Sequence, residues 1–219
     1  MRLFLASYRF GAHADALVDL VGGRGARVAV VSNALDFIPA EARAAYARTV
    51  YDQMAGFSDL GLHPFDLDLR RYFHDAAGLG EALDAADLVW ATGGNSFLLR
   101  QALRLSGLDR QIADRLARED LAYGGYSAGA VVAGPDLRGL ELRGPPEVSA
   151  EGYPVNAPTI WEGLGLISAP IVPHYRSDHP ESADADRVAA RHEAEGRSCI
   201  LLTDAEVLLV RGEQQTILR

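Results

Sequence analysis

The chain has 219 residues, 48% of them hydrophobic, and a formal net charge of −9, which suits one α/β domain spanning residues 1–219 with a sizeable buried core. The acidic balance, with no block of Lys or Arg, sets a repulsive field against polyanions and argues against nucleic acid as a partner. No run approaches the roughly 20 apolar residues of a membrane helix, and the apolar run in "MRLFLASYRFG" is too short for a signal peptide, so a soluble cytoplasmic protein without membrane contact is expected.

Along the chain, "RLFLASY" reads as a strand and "ADALVDLVGG" as a helix with a glycine stop. "RVAVVSNA" is a continuous apolar run of the kind buried on both faces of a parallel sheet. "PAEARAAYARTVYDQMAG" follows as one helix, with Pro39 near its start and Gly56 at its end. "LGLHPFDL" then reads as a strand, "GEALDAA" as a short helix, "DLVWATGG" as a strand, and "SFLLRQALRLSG" and "LDRQIADRLARED" as helices. "LAYGGYSAGAVVAG" is a fifth strand running directly into a helix.

After Gly134 the turn formers multiply, and the stretch to Gly163 reads as a long excursion with a short strand at "LELR". "LGLISAPIVPHY" resumes as a strand, "PESADADRVAARHEAEG" as a helix, and "SCILLTD" as a strand whose single cysteine, Cys199, is expected to be buried and inert. "EVLLVRGEQQTILR" closes as an antiparallel hairpin turning near Arg211-Gly212-Glu213. This alternation predicts an α/β fold: a doubly wound, mostly parallel sheet with helices on both faces and a C-terminal β-hairpin, its sites lying at the carboxyl ends of the strands.

Two glycine-rich strand-to-helix junctions fall where that rule places function. Gly125-Tyr126-Ser127-Ala128-Gly129 matches G-x-S-x-G, the sharp turn that lifts a serine hydroxyl above a sheet. The competing reading is a tight turn with a helix-capping serine; neither junction fits G-x-G-x-x-G or the P-loop, which weakens a nucleotide site. A hydroxyl nucleophile needs a base and an oxyanion hole. The N–H of Ala128 can give one donor and Gly94, in "TGGNSF", the other, while Asn95 can cap the helix that follows and face a substrate.

Six histidines are available. His174 is the best placed as base, because "APIVPHY" ends an apolar strand on the same side of the sheet as the serine. His192 stands between Arg191 and Glu193 and reads as solvated, whereas His13, His63, His74 and His179 lie in or near loops without a second signal. His174, Asp178 and His179 match no usual metal-ligand spacing.

Taken together, "VWATGGNSFLL", "GGYSAGA" and "PIVPHY" resemble peptidase E, the aspartyl dipeptidases of the S51 serine peptidases, a group that also includes cyanophycinase. The resemblance implies a fold like that of class I glutamine amidotransferases. It implies attack by Ser127, proton transfer by His174, and an oxyanion held by Gly94 and Ala128. It also implies intracellular hydrolysis of short peptides with an amino-terminal aspartate, with no metal or organic cofactor.

The chain departs from that family in two places. The family's third triad member lies between serine and histidine, where this sequence has "LRGLELRG"; Glu141 is the nearest acid and is expected to orient the imidazole, with Asp136, Glu147 and Glu162 as rivals. A substrate carboxylate also needs a fixed cation, for which Arg176 and Arg187 are the candidates. The expected function is therefore a serine peptidase acting on Asp-Xaa dipeptides as a monomer or homodimer. The alternatives are carboxypeptidase or cyanophycinase-like activity on the same residues, and a non-catalytic protein that holds small peptides.

Overall fold

The computed structural model describes residues 1–219. In chain order the regular elements are β1 (Arg2–Ala6), α1 (Ala14–Leu20), β2 (Arg27–Val31), α2 (Ala40–Thr49), α3 (Gln53–Asp59), β3 (His63–Asp66), α4 (Ala76–Leu83), β4 (Leu88–Ala91), α5 (Ser96–Ser106), α6 (Leu108–Arg118), β5 (Ala122–Tyr126), α7 (Ala128–Val131), β6 (Ile171–Val172), α8 (Ser182–Ala194), β7 (Ile200–Leu201), β8 (Val207–Arg211) and β9 (Gln214–Leu218). No helix is long and apolar enough to cross a membrane.

Seven strands form one sheet in the order β3-β2-β4-β5-β1-β8-β9. The first five run parallel, and β8 and β9 add an antiparallel edge closed by the turn at Gly212-Glu213. The near-continuous apolar strands have a physical reason: successive side chains point to opposite faces, and both faces are covered. Leu3, Leu5, Val89 and Tyr123 join the core under α4, α5, α6 and α7. Phe4, Ala6, Val28 and Trp90 join a second core with Leu17 of α1 and Phe57 of α3. The expected doubly wound sheet and terminal hairpin are present.

Several local expectations need correction. The helix read across Pro39–Gly56 is two, because Asp52 accepts hydrogen bonds from the N–H groups of Met54 and Ala55 and so starts α3 afresh. "LELR" is a 3-10 turn at Leu140–Leu142, not a strand. The runs around His174 and Cys199 contribute only the two-residue strands β6 and β7, which pair in parallel outside the main sheet. There Val172 packs with Ala185 and Val188 of α8, and Cys199 is partly buried against them.

Candidate active site

β5 enters α7 through Ser127, whose backbone sits at φ 47°, ψ −113°. A non-glycine residue is rarely found there, and the strain is held by its surroundings. The Ser127 N–H donates to the carbonyls of Ala6 (3.2 Å) and Ser7 (3.1 Å) at the end of β1. Behind the serine, α7 lies directly on β4: a Cβ on Gly129 would stand 2.0 Å from the Ala91 carbonyl oxygen. The hydroxyl is thereby turned away from the sheet while its backbone stays locked to it.

His174 follows β6, and Asp204 follows β7. The parallel register Val172↔Leu201, extended by a hydrogen bond from the Tyr175 N–H to the Leu202 carbonyl (3.1 Å), brings the two side chains together. The distance from Nδ1 of His174 to Oδ1 of Asp204 is 2.7 Å, and that from Nε2 to Oγ of Ser127 is 3.2 Å. With Nδ1–H donating to the carboxylate, Nε2 is left to accept the serine proton. Ser7, fully buried at the end of β1, donates to the same Asp204 oxygen (3.1 Å) and accepts from the His174 N–H (2.7 Å). The Asp204 N–H donates to Ser177 Oγ (2.9 Å).

His174 is 1% exposed. Burial pushes its pKa down to about 4; the hydrogen bond to Asp204 opposes this, and His179 adds to it. The imidazole is therefore a neutral base at pH 7. His179 lies against its ring, and Tyr8 meets both histidines edge-on.

Gly94 crosses from β4 towards α5 at φ 136°, close enough to Ala34 that a Cβ would fall 2.5 Å from that carbonyl oxygen. The N–H groups of Gly94 and Ala128 donate to no other carbonyl, and Gly94 lines both hollows beside Ser127. Asn95 caps α5 through its side-chain oxygen, which accepts from the Leu98 N–H (2.8 Å), and also lines the smaller hollow.

The structure brings Ser127, His174, Gly94, Ala128 and Asn95 to one place but not Glu141. The Glu141 carboxylate accepts from the Gly139 N–H and faces Arg191 at 3.8 Å, because the 3-10 turn directs it toward α8. Among its rivals, Asp136 is paired with Arg197, while Glu147 and Glu162 are exposed. The acid at His174 is Asp204. Arg176 lies over the Tyr175 ring, and Arg187 binds Asp184 and the Leu142 carbonyl on the surface of α8. Neither lines the hollows beside Ser127, whereas Arg143 does. Its side chain is 12% exposed and ion-paired with Glu181, which is 49% exposed.

Two histidines also differ from expectation. His192 is buried, since it shares one face of α8 with Ala185 and Val188. His179, with Glu181 and His174, places ligand atoms within 4.8 Å of one another. The stacked rings cannot both aim in-plane lone pairs at one ion, so this trio is not a ready coordination shell.

Ser127 stands between two hollows. One, of about 90 Å³, is lined by Gly94, Asn95, Ser96, Arg143 and Glu181 among others. The second is a cleft of about 680 Å³, lined in part by His174, His179 and the apolar side chains that face α2 and α3.

The chain resembles known proteins in sequence and in fold. The chain is 34% identical over 163 residues to a peptidase E of Streptomyces coelicolor, a match covering 73% of this chain and 62% of that one. It is 30% identical over 155 residues to an uncharacterized peptidase of Listeria innocua, covering 68% and 70%. The match thus spans less than two thirds of the length of the Streptomyces protein. The fold matches the 1.5 Å crystal structure of a peptidase E-type protein from Listeria monocytogenes EGD-e with a TM-score of 0.78 at 23% identity, over 100% of this chain and 98% of that one. A peptidase from an acI-B1 Actinobacterium gives 0.67 at 18%, over 99% and 86%. The profile of Peptidase family S51 matches residues 6–218, nearly the whole sequence, and the chain belongs to that family.

Proposed function

We propose that the protein is a serine peptidase that hydrolyses short peptides bearing an amino-terminal aspartate, with Ser127, His174 and Asp204 as its triad. The observation that carries this reading is the unbroken line from Ser127 Oγ to His174 Nε2 (3.2 Å) and from His174 Nδ1 to Asp204 (2.7 Å). Ser127 Oγ attacks the scissile carbonyl carbon as its proton passes to Nε2, and the carbonyl oxygen takes its negative charge toward the N–H groups of Gly94 and Ala128. His174 then protonates the departing amine, and a water molecule, deprotonated by the same nitrogen, cleaves the acyl-enzyme.

Preference for aspartate is supported by Arg143, a little-exposed guanidinium in the small hollow beside the serine. A guanidinium binds a carboxylate through two parallel hydrogen bonds, which fixes the side chain as well as its charge. Glu181 lines the same hollow and supplies the anion for a free α-ammonium group.

The test is hydrolysis of Asp-Leu beside Leu-Leu, Ala-Asp and an amino-blocked tetrapeptide by wild type and Ser127→Ala. Cleavage of Asp-Leu alone, and only by wild type, is the expected result. Serine-dependent cleavage of the blocked peptide would replace the aspartyl dipeptidase with a carboxypeptidase or endopeptidase, and full activity of Ser127→Ala would end the serine mechanism.

A further inference from the structure

The two hollows flanking Ser127 are unequal in size and chemistry, and only one of them contains the proton donor. As the tetrahedral intermediate of acylation collapses, the imidazolium gives its proton to the leaving nitrogen, so the leaving portion must lie on the side where the imidazole faces the substrate. His174 lines the large cleft and not the small hollow. Given the serine mechanism and aspartyl preference proposed above, on which this inference rests, the acyl aspartate occupies the small polar hollow and the leaving portion enters the cleft.

We infer that this protein's preferred substrates carry a large apolar or aromatic leaving portion, extending beyond one residue, after the amino-terminal aspartate. Size is the first argument. The hollow assigned to the aspartate measures about 90 Å³ and the cleft about 680 Å³, a volume in the range of sites that enclose whole organic ligands. Chemistry is the second. Half of the 24 residues lining the cleft are hydrophobic, and Tyr8, Leu35, Ile38, Tyr46, Met54 and Tyr126 bring branched and aromatic surface to it.

The third argument comes from α2, which forms one wall. No residue of α2 is buried, and Tyr46 is 49% exposed although it lines the cleft. A helix normally lays its apolar stripe against a core. This one presents apolar side chains to a cavity, where an apolar leaving group would cover them. Contact with aromatic faces also orients a planar ring more strongly than an aliphatic chain.

The experiment compares kcat/KM for Asp-Gly, Asp-Phe and Asp-Leu-Phe with wild type and with Ala47→Trp, which places an indole on the cleft wall. The expected result is a preference of at least about tenfold for Asp-Phe and Asp-Leu-Phe over Asp-Gly, the size of discrimination an apolar pocket supplies. That preference should shrink to within about threefold in Ala47→Trp, as the added side chain takes up the same pocket. Equal turnover of Asp-Gly and Asp-Phe by wild type, or a preference that survives Ala47→Trp, would overturn the cleft assignment while leaving the aspartyl reading intact. Failure to cleave any of the three peptides would instead remove the aspartyl reading, and this inference with it.

Discussion

The imidazole of His179 lies flat on that of His174, with ring centroids 3.7 Å apart and planes 9° from parallel. Such a neighbour shields one face of the base from water and, when protonated, opposes a positive charge on it. Both effects favour neutral His174, in the same direction as its burial.

The sign of the resulting pH dependence is definite. The base must be neutral to accept the Ser127 proton, and its folded pKa is pushed down to about 4. Activity is therefore retained below the ordinary histidine range near 6.5 and is lost as pH falls through the depressed value. Replacing His179 with Ala admits water and removes the second ring, so the acidic limb of the kcat/KM profile should move to higher pH. A limb in the same place in both proteins would show that His179 does not influence the base.

Asp204→Asn should lower kcat by about 10⁴-fold, since the amide NH2 can donate to Nδ1, which puts the ring proton on Nε2 and leaves it unable to accept from Ser127. Glu141→Gln should leave kcat unchanged, because Glu141 faces Gly139 and Arg191 instead of the imidazole. Steady-state kinetics on an Asp-Xaa dipeptide separate the two acids, and the opposite ranking would restore Glu141.

Ser7→Ala removes one hydrogen bond to Asp204 and one from the His174 backbone without touching substrate. Losing a charge-assisted bond at the acid should lower kcat by about tenfold, with KM little changed. A change confined to KM would assign Ser7 to binding instead of positioning the acid and base.

Gly129→Ala would force a methyl group to within 2.0 Å of the Ala91 carbonyl. The clash is with buried backbone, so the variant should lose about 3 kcal/mol of stability, read as a lower urea midpoint. A midpoint equal to wild type would mean that the strand and helix separate more readily than their packing suggests.

The parts of the site carried by local sequence could be read directly. The elbow at Ser127, the Gly93-Gly94-Asn95 junction and His174 at a strand end each announce themselves within a few residues. Asp204 could not be found this way: it belongs to a common turn-like "TDAE", and it reaches His174 only because β6 pairs with β7 in a particular register. Ser7 was hidden for the same reason, 167 residues from the histidine whose N–H it binds. The burial of His192 was accessible in principle, since Ala185, Val188 and His192 fall on one helical face. The charges flanking that residue masked the spacing.

The site draws its residues from two separately hydrogen-bonded sheets. Ser127 and Gly94 stand at the ends of strands in the seven-stranded sheet, whereas His174 and Asp204 follow the strands of the small β6–β7 pair, and Ser7 at the end of β1 hydrogen-bonds to both of them. The His174–Asp204 separation follows from the β6–β7 register, and the Ser127–His174 separation from how that pair packs through Ile171 and Leu202 into the core of the larger sheet. Any disturbance of that packing acts first on the 3.2 Å contact, so Ser127 would lose its partner while His174 and Asp204 remain aligned.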